Sequence, residues 1–136
     1  RHPGRMVELR GTEAPAVVPG DAIRLDQVFT NLVDNAHKYS PNGGTVMLNV
    51  AREADAVLVS VHDDGIGIPP LELPEIFEPF KRAANATQRQ LPGLGLGLHI
   101  CRQIVERHGG RIWAESGGDH AGTTFYVRLP DSTPAA

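Results

Sequence analysis

Residues 22–39 read AIRLDQVFTNLVDNAHKY, and apolar side chains recur along this stretch at three- and four-residue spacing. The spacing predicts an amphipathic helix with one face in the core. Asp21 precedes the stretch and is a good N-cap, and Ser40-Pro41-Asn42-Gly43-Gly44 ends the pattern. The apolar positions are Leu25, Val28, Phe29, Leu32, Val33 and Ala36.

The predicted helix also has a polar face. Gln27, Asn31, Asn35 and Lys38 follow one another at spacings of four, four and three residues, so they share one side. Mg²⁺ takes oxygen ligands, usually one or two from protein and the rest from phosphates and water. An Asn oxygen can be such a ligand, and a lysine one turn away can neutralise a phosphate. From the helix alone, a solvated polar face remains the alternative.

The remaining chain alternates strands with a second helix. Leu98 to His108 form another apolar helical stripe, and Gly109-Gly110 ends it. Helices interspersed with antiparallel hairpins predict a layered α/β sandwich with helices over one face of a sheet. The predicted strands are residues 5–10, 15–18, 45–52, 56–63, 111–116 and 123–129.

Composition is that of one soluble domain of 136 residues, with 40% hydrophobic and 21% charged residues. The net charge of -3 argues against nucleic-acid binding through a basic surface. No apolar stretch approaches the roughly 20 residues that cross a bilayer. The single cysteine, Cys101, lies in an apolar stripe and is predicted to be a buried hydrophobe. Because the chain starts at Arg1, we expect it to be a piece of a longer protein.

Asp63-Asp64-Gly65-Ile66-Gly67-Ile68 follows a predicted strand directly. A carboxylate at a strand end can accept a hydrogen bond from an exocyclic amine, and the two glycines let the backbone approach a flat ligand. An acidic β-turn is the alternative. The missing alternating carboxylates and closing Glu argue against a calcium loop.

Gly93-Leu94-Gly95-Leu96-Gly97-Leu98 opens the second helix. Glycines there expose backbone N–H groups and the positive end of the helix dipole to an anion. A dinucleotide fingerprint is excluded because Leu98 stands where a third glycine is required, and no Gly-Lys-Ser/Thr P-loop follows. The preceding segment, residues 64–95, has little predicted regular structure, which is typical of functional loops.

Taken in order, these motifs resemble the ATP-binding domain of sensor histidine kinases. Residues 26–41 resemble the Asn box and residues 63–68 the first glycine box, and the other matching segments are 76–82 (Phe box), 93–98 (second glycine box) and 122–125. The resemblance implies a Bergerat fold, an α/β (α+β) two-layer sandwich. Its mixed, mostly antiparallel sheet of about five strands is covered on one face by about three helices. The implied catalytic domain spans residues 1–130, with an ATP lid at about 78–92 and a flexible tail at 131–136.

The resemblance also implies which residues bind ATP. Asn35 would coordinate Mg²⁺, with Asn31 as a second candidate that supports the metal and phosphates. Asp63 would bond the adenine amine. The other implied ATP contacts are Lys38, Tyr39, Gly65, Gly67, Ile68, Phe80, Arg82, Gly93, Gly95, Leu96, Gly97, Leu98 and Thr124. Thr123 would lie with Thr124 on a strand at the pocket floor. Two departures are Leu94, where Thr is usual, and Lys81, where Tyr is common.

The mechanism implied is phosphoryl transfer rather than hydrolysis. Hydrolytic relatives carry Glu at the Asn31 position, and an amide cannot take a proton from water. The γ-phosphoryl group would go to a histidine on a separate upstream dimerisation domain. None of the six histidines has the family's acceptor context, so the fragment is not expected to phosphorylate itself.

Further expectations concern the parent protein. The resemblance implies a homodimeric parent anchored in the cell membrane, with this part as a monomeric cytoplasmic domain, and a cognate response regulator as partner. The alternatives are an anti-sigma-factor-type serine kinase of the same superfamily and a nucleotide-binding module without catalysis.

Overall fold

The structure, a computed structural model, describes residues 6–9, 16–40, 45–79, 97–117 and 121–132. Each predicted strand and both predicted helices are found close to their predicted bounds, and residues 5, 10 and 15 of the first two predicted strands lie outside the described ranges. The elements are β1 (Met6–Leu9), β2 (Ala16–Pro19), α1 (Ala22–Lys38), β3 (Val46–Glu53), β4 (Ala56–Asp63), a 3-10 helix (Pro70–Glu75), α2 (Gly97–Arg107), β5 (Arg111–Glu115) and β6 (Thr123–Pro130).

The strands form two sheets. Four strands make an antiparallel sheet in the order β3-β4-β6-β5, and β1 pairs with β2 in a separate two-stranded sheet. Instead of the expected single sheet of about five strands, the described residues form one sheet of four strands and one of two. The difference arises because a strand pattern in the sequence indicates that a segment pairs but does not identify the strand with which it pairs.

One face of the four-stranded sheet carries the core. Along β4 and β6 every second side chain is buried, as the two-residue period of a strand requires. The apolar stripes of α1 and α2 join these side chains in one cluster, so the two-layer sandwich is confirmed. The buried helix residues are Leu25, Val28, Leu32, Ala36, Leu98, Cys101, Ile104 and Val105.

The predicted helix ends are confirmed by their hydrogen bonds. The Asp21 carboxylate accepts from the N–H groups of Ile23 at 3.0 Å and Arg24 at 3.2 Å. At the end of α2, Gly109 has a φ of 75° and the Gly110 N–H donates to the Val105 carbonyl at 3.0 Å. These bonds satisfy groups that a helix terminus otherwise leaves unpaired.

Cys101 is a buried apolar residue, as predicted, with 0% of its surface exposed. Burial raises the pKa of its thiol to about 11, so the thiol is neutral at physiological pH. Neither α-helix in the described ranges is long and apolar enough to cross a membrane.

Two corrections concern segments predicted to be irregular. Pro70–Glu75 form a 3-10 helix inside the long loop, whose residues 80–96 lie outside the described ranges. The tail is ordered further than expected, because the N–H groups of Asp131 and Ser132 donate to the carbonyls of Asp55 at 2.9 Å and Val17 at 2.7 Å. Residues 133–136 of the predicted tail lie outside the described residues.

Candidate functional site

Asp63, the last residue of β4, is fully buried. Its Oδ1 accepts a hydrogen bond from the Gly65 N–H at 2.9 Å, whereas its Oδ2 is buried without a partner among the described residues. Burial raises the pKa of Asp63, and the bond from Gly65 opposes that shift. A buried acceptor without a donor is unfavourable, so Oδ2 would be stabilised by a donor from outside the chain.

Thr123 lies directly opposite Asp63 on the neighbouring strand β6. Its Oγ1 is also buried and has no partner among the residues that the structure describes. Directly opposite residues of an antiparallel pair lie on the same face of the sheet, with Cβ atoms about 5 Å apart. Two unsatisfied polar atoms therefore lie side by side at one end of the sheet.

Thr124 points to the other face of the sheet. Its Oγ1 lies 2.7 Å from the Nδ1 of His62, whose Nε2 lies 2.9 Å from the Asp64 carboxylate. Successive strand residues face opposite sides, so Thr124 is turned away from Asp63. Thr123, rather than Thr124, therefore lies beside Asp63, and the predicted ATP contact through Thr124 stays a prediction.

Gly65 brings the loop after β4 against the end of α1. The Ile66 N–H donates to the Tyr39 carbonyl at 2.8 Å, and a Cβ at Gly65 would collide with that same carbonyl. Glycine is thus required here by close backbone packing, in addition to any approach of a ligand. The contact places the C-terminal end of α1 beside the Asp63 loop. Further along the loop, Gly67 has a φ of 74° and Ile68 is buried in the core.

Ser116, directly after β5, holds the other end of this loop and was not predicted. Its Oγ accepts from the Ile68 N–H at 2.9 Å and donates to the Gly122 carbonyl at 2.6 Å. The Gly122 N–H in turn donates to the Gly65 carbonyl at 3.3 Å. A lone serine after a strand carries no sequence signal for such a contact.

The polar face of α1 is in contact with α2 through Cys101. Asn31 and Asn35 are half-buried, one turn apart, whereas Lys38 is exposed. The Cys101 thiol hydrogen-bonds with the Asn31 side chain and lies 3.7 Å from the Val28 carbonyl. The two asparagines therefore lie on a helix face that contacts α2, next to Tyr39, which packs against the core.

The first residues of α2 lie at the same end of the molecule. The helices run antiparallel, because Asp21 contacts His108 while Val28 contacts Cys101. A Cβ at Gly97 would meet no atom within 4 Å, and the first turn of α2 has no acidic residue. Leu98 has its side chain in the core, so only its backbone could meet a phosphate.

Several predicted contacts fall outside the described residues, namely Phe80, Arg82, Gly93, Gly95 and Leu96. Phe77, just before them, is buried and packs edge-to-face on Phe125 with ring centroids 6.2 Å apart. The lid stays a prediction, and only its residues 78 and 79 are described.

The donor set of α1 suits magnesium bound together with phosphates. No group of three His, Cys, Asp or Glu side chains that could hold a metal occurs in the described part of the chain. Amide oxygens from Asn35 and Asn31 would complete a coordination shell that phosphate oxygens and water largely supply. Magnesium binding stays a proposal.

The family model for "Histidine kinase-, DNA gyrase B-, and HSP90-like ATPase" matches residues 20–133. The sensor histidine kinase WalK of Bacillus subtilis (strain 168) is 43% identical over 112 residues, which are 81% of this chain and 18% of WalK.

Similar solved structures include MprB and ShkA. The mycobacterial sensor histidine kinase MprB matches with a TM-score of 0.81 and 36% identity, over 88% of this chain and 80% of that one. Full-length ShkA in complex with AMPPNP matches with a TM-score of 0.74 and 30% identity, over 89% of this chain and 24% of that one. The match over residues 20–133 and this fold show that the chain belongs to the histidine kinase-, DNA gyrase B- and HSP90-like ATPase family, as an ATP-binding domain of the sensor histidine kinase type.

Proposed function

We propose that this domain binds ATP with Mg²⁺ and presents the γ-phosphoryl group to a histidine on a separate, upstream dimerisation domain. The observation that carries the proposal is the buried, unsatisfied Oδ2 of Asp63. Nucleotide binding by this fold is also supported by the AMPPNP complex of ShkA.

Asp63 is suited to recognise adenine. The base carries an N6 amino donor, whereas guanine carries an O6 acceptor at the same place. An ionised Asp63 accepts from the amine and repels the carbonyl, which favours ATP over GTP. Thr123 adds a hydroxyl at the same spot, and it can bond the base directly or through water.

The phosphates would lie between α1 and the start of α2. Asn35 and Asn31 offer amide oxygens to magnesium, and Lys38 offers a positive charge at the end of the same helix. Bound magnesium would neutralise charge on the phosphates. The first N–H groups of α2 would donate to phosphate oxygens, as helix N-termini commonly do.

The surroundings of Asn31 explain why water is not the expected acceptor. Its amide cannot act as a general base, and the neighbouring Cys101 thiol stays protonated because burial raises its pKa to about 11. Slow hydrolysis leaves the γ-phosphoryl group for an imidazole supplied by another domain. We extend the proposal to a cognate response regulator and a homodimeric, membrane-anchored parent.

Calorimetric titration with ATP, with and without Mg²⁺, tests the site. We expect magnesium to strengthen binding to the wild-type chain and to have little effect on N35A, because the variant lacks the amide oxygen. Alanine favours the helix, so N35A should stay folded. N49A, at an exposed position on β3, is the matched control and should behave as wild type.

Two results would count against the proposal. Retained magnesium dependence in N35A would assign the metal ligand to another residue. Absence of ATP binding by the wild-type chain would remove the proposed function itself.

A further inference from the structure

Ser116 is placed to control the shape of the base-binding loop without contacting the base. Its hydroxyl accepts from the Ile68 N–H at 2.9 Å and donates to the Gly122 carbonyl at 2.6 Å. A hydroxyl can do both at once, because it carries one donor and two acceptor lone pairs. Alanine can do neither, so S116A would leave both backbone groups without this partner.

The second bond of Ser116 goes to Gly122, which in turn contacts the start of the same loop. The Gly122 N–H donates to the Gly65 carbonyl at 3.3 Å, and a Cβ at Gly122 would collide with the Asp63 carbonyl. Gly122 also has a φ of 75°, which a side chain would strain. Ser116 therefore holds Ile68 directly and holds Gly65 through Gly122.

The two anchored points bracket the loop that follows Asp63. The Gly65 N–H also donates to Asp63 Oδ1. Oδ2 is therefore the carboxylate oxygen without a hydrogen-bond partner among the described residues. Moving Gly65 or Ile68 would change the direction of Oδ2 relative to a bound base. Hydrogen-bond discrimination between two bases depends on such alignment, since hydrogen bonds weaken steeply away from linearity.

We infer that Ser116 is a positioning residue that sets the base selectivity of this site by holding residues 65–68 against the β5–β6 connection. The inference rests on the proposed nucleotide function. It assigns to Ser116 the alignment of Asp63 on which the preference for ATP over GTP depends, and it leaves the phosphate contacts of α1 unchanged.

The experiment compares ATP and GTP affinities, both with Mg²⁺, by calorimetry on wild type, S116A and S116T. We expect the ATP-to-GTP affinity ratio to fall about tenfold in S116A, the scale of one lost hydrogen bond. S116T keeps the hydroxyl and should keep the ratio near that of wild type. S60A is the matched control, because Ser60 lies on β4 with its side chain on the sheet face opposite Asp63.

An unchanged ratio in folded S116A would overturn the inference. If S116A does not fold, S116C keeps the shape with a weaker hydrogen-bonding group, and an unchanged ratio there would overturn it equally. Faster amide hydrogen exchange at Ile68 in nucleotide-free S116A or S116C is also expected.

The exchange measurement separates this inference from the proposed function. If wild type binds neither nucleotide, the proposed function fails and the selectivity role of Ser116 fails with it. If wild type binds ATP but Ile68 exchanges at the wild-type rate in S116A, only the Ser116 inference fails.

Discussion

Asp63 is held at the end of β4 in a state that lowers the stability of the nucleotide-free fold. Its carboxylate is fully buried, and burial raises its pKa above the ordinary value of 3.8. The folded chain therefore binds a proton more readily than the unfolded chain, so stability falls as pH rises from 3.8 through the raised value. A bound amine donor would offset this loss, because ligands that bind only the folded state stabilise it.

We predict that D63N has different effects on the stability of the fold and on its affinity for ATP. At pH 7 the nucleotide-free variant should be at least as stable as wild type, and any gain should shrink as the pH falls toward 3.8. Its affinity for ATP should drop by about 1–3 kcal/mol, the scale of a hydrogen bond to a charged group. Urea denaturation and calorimetry measure the two effects.

The control for D63N is D64N, at a neighbouring carboxylate that is 71% exposed. It should change both quantities little. A D63N variant that binds ATP as wild type does would remove Asp63 from its proposed role.

Thr123 and Thr124 provide a matched pair of neighbouring residues on opposite sheet faces. We predict that T123V weakens ATP binding several-fold, whereas T124V does not, because Thr124 contacts His62 on the far face. Valine has nearly the shape of threonine and suits a strand, so both variants should fold. Calorimetry measures the ATP affinity of both variants. Weaker binding by T124V than by T123V would contradict the assignment of Thr123.

At the scale of elements, His108 joins the end of α2 to the beginning of α1. Its Nε2 accepts from the Asp21 N–H at 3.0 Å, and its Nδ1 donates to the Ile104 carbonyl at 2.8 Å. Both ring nitrogens are thus used by a neutral imidazole. Gly20 makes room for the ring, since a Cβ there would lie 2.7 Å from His108 Cδ2. The contact joins the C-terminal end of α2 to the N-terminal end of α1 and so helps to set the packing of these two helices.

We predict that H108A lowers the free energy of unfolding by about 1–3 kcal/mol, because it leaves the part-buried Asp21 N–H without the imidazole. H37A removes an exposed histidine from α1 and is the matched control. Urea denaturation gives both values. Equal stability of the two variants would show that the His108 contact contributes little to holding the helices together.

At the scale of the whole molecule, the candidate site combines α1, the loop after β4 and strand β6. His108 is buried with both nitrogens engaged, and His62 is held between Thr124 and Asp64. In the proposed function, the phosphoryl group goes to a histidine on another domain. Such a division makes transfer depend on docking between domains.

We predict that γ-labelled ATP leaves no stable label on the isolated chain. Addition of the separately produced acceptor domain should yield acid-labile phosphohistidine on that domain. D63N should reduce the transfer, because it weakens nucleotide binding. Stable label on the isolated chain would contradict the proposed division of labour, and label on a serine of an added partner would favour the serine-kinase alternative.

Local patterns in the sequence determined the helices, the strands, the Asp21 and Gly109 caps and the burial of Cys101. They could do so because helix and strand periods and caps depend on residues only a few positions apart. The order of the motifs likewise determined the family.

Only the tertiary structure decided which threonine faces Asp63, that β1 and β2 form their own sheet, and that Asp131 and Ser132 are held in place. It also revealed Ser116 and His108, whose decisive contacts join residues 48 and 87 positions apart. Strand register and long-range hydrogen bonds depend on how elements pack, and a shift of one residue turns every side chain of a strand to the other face. That dependence is why the sequence named both threonines and only the strand register shows that Thr123 is the one beside Asp63.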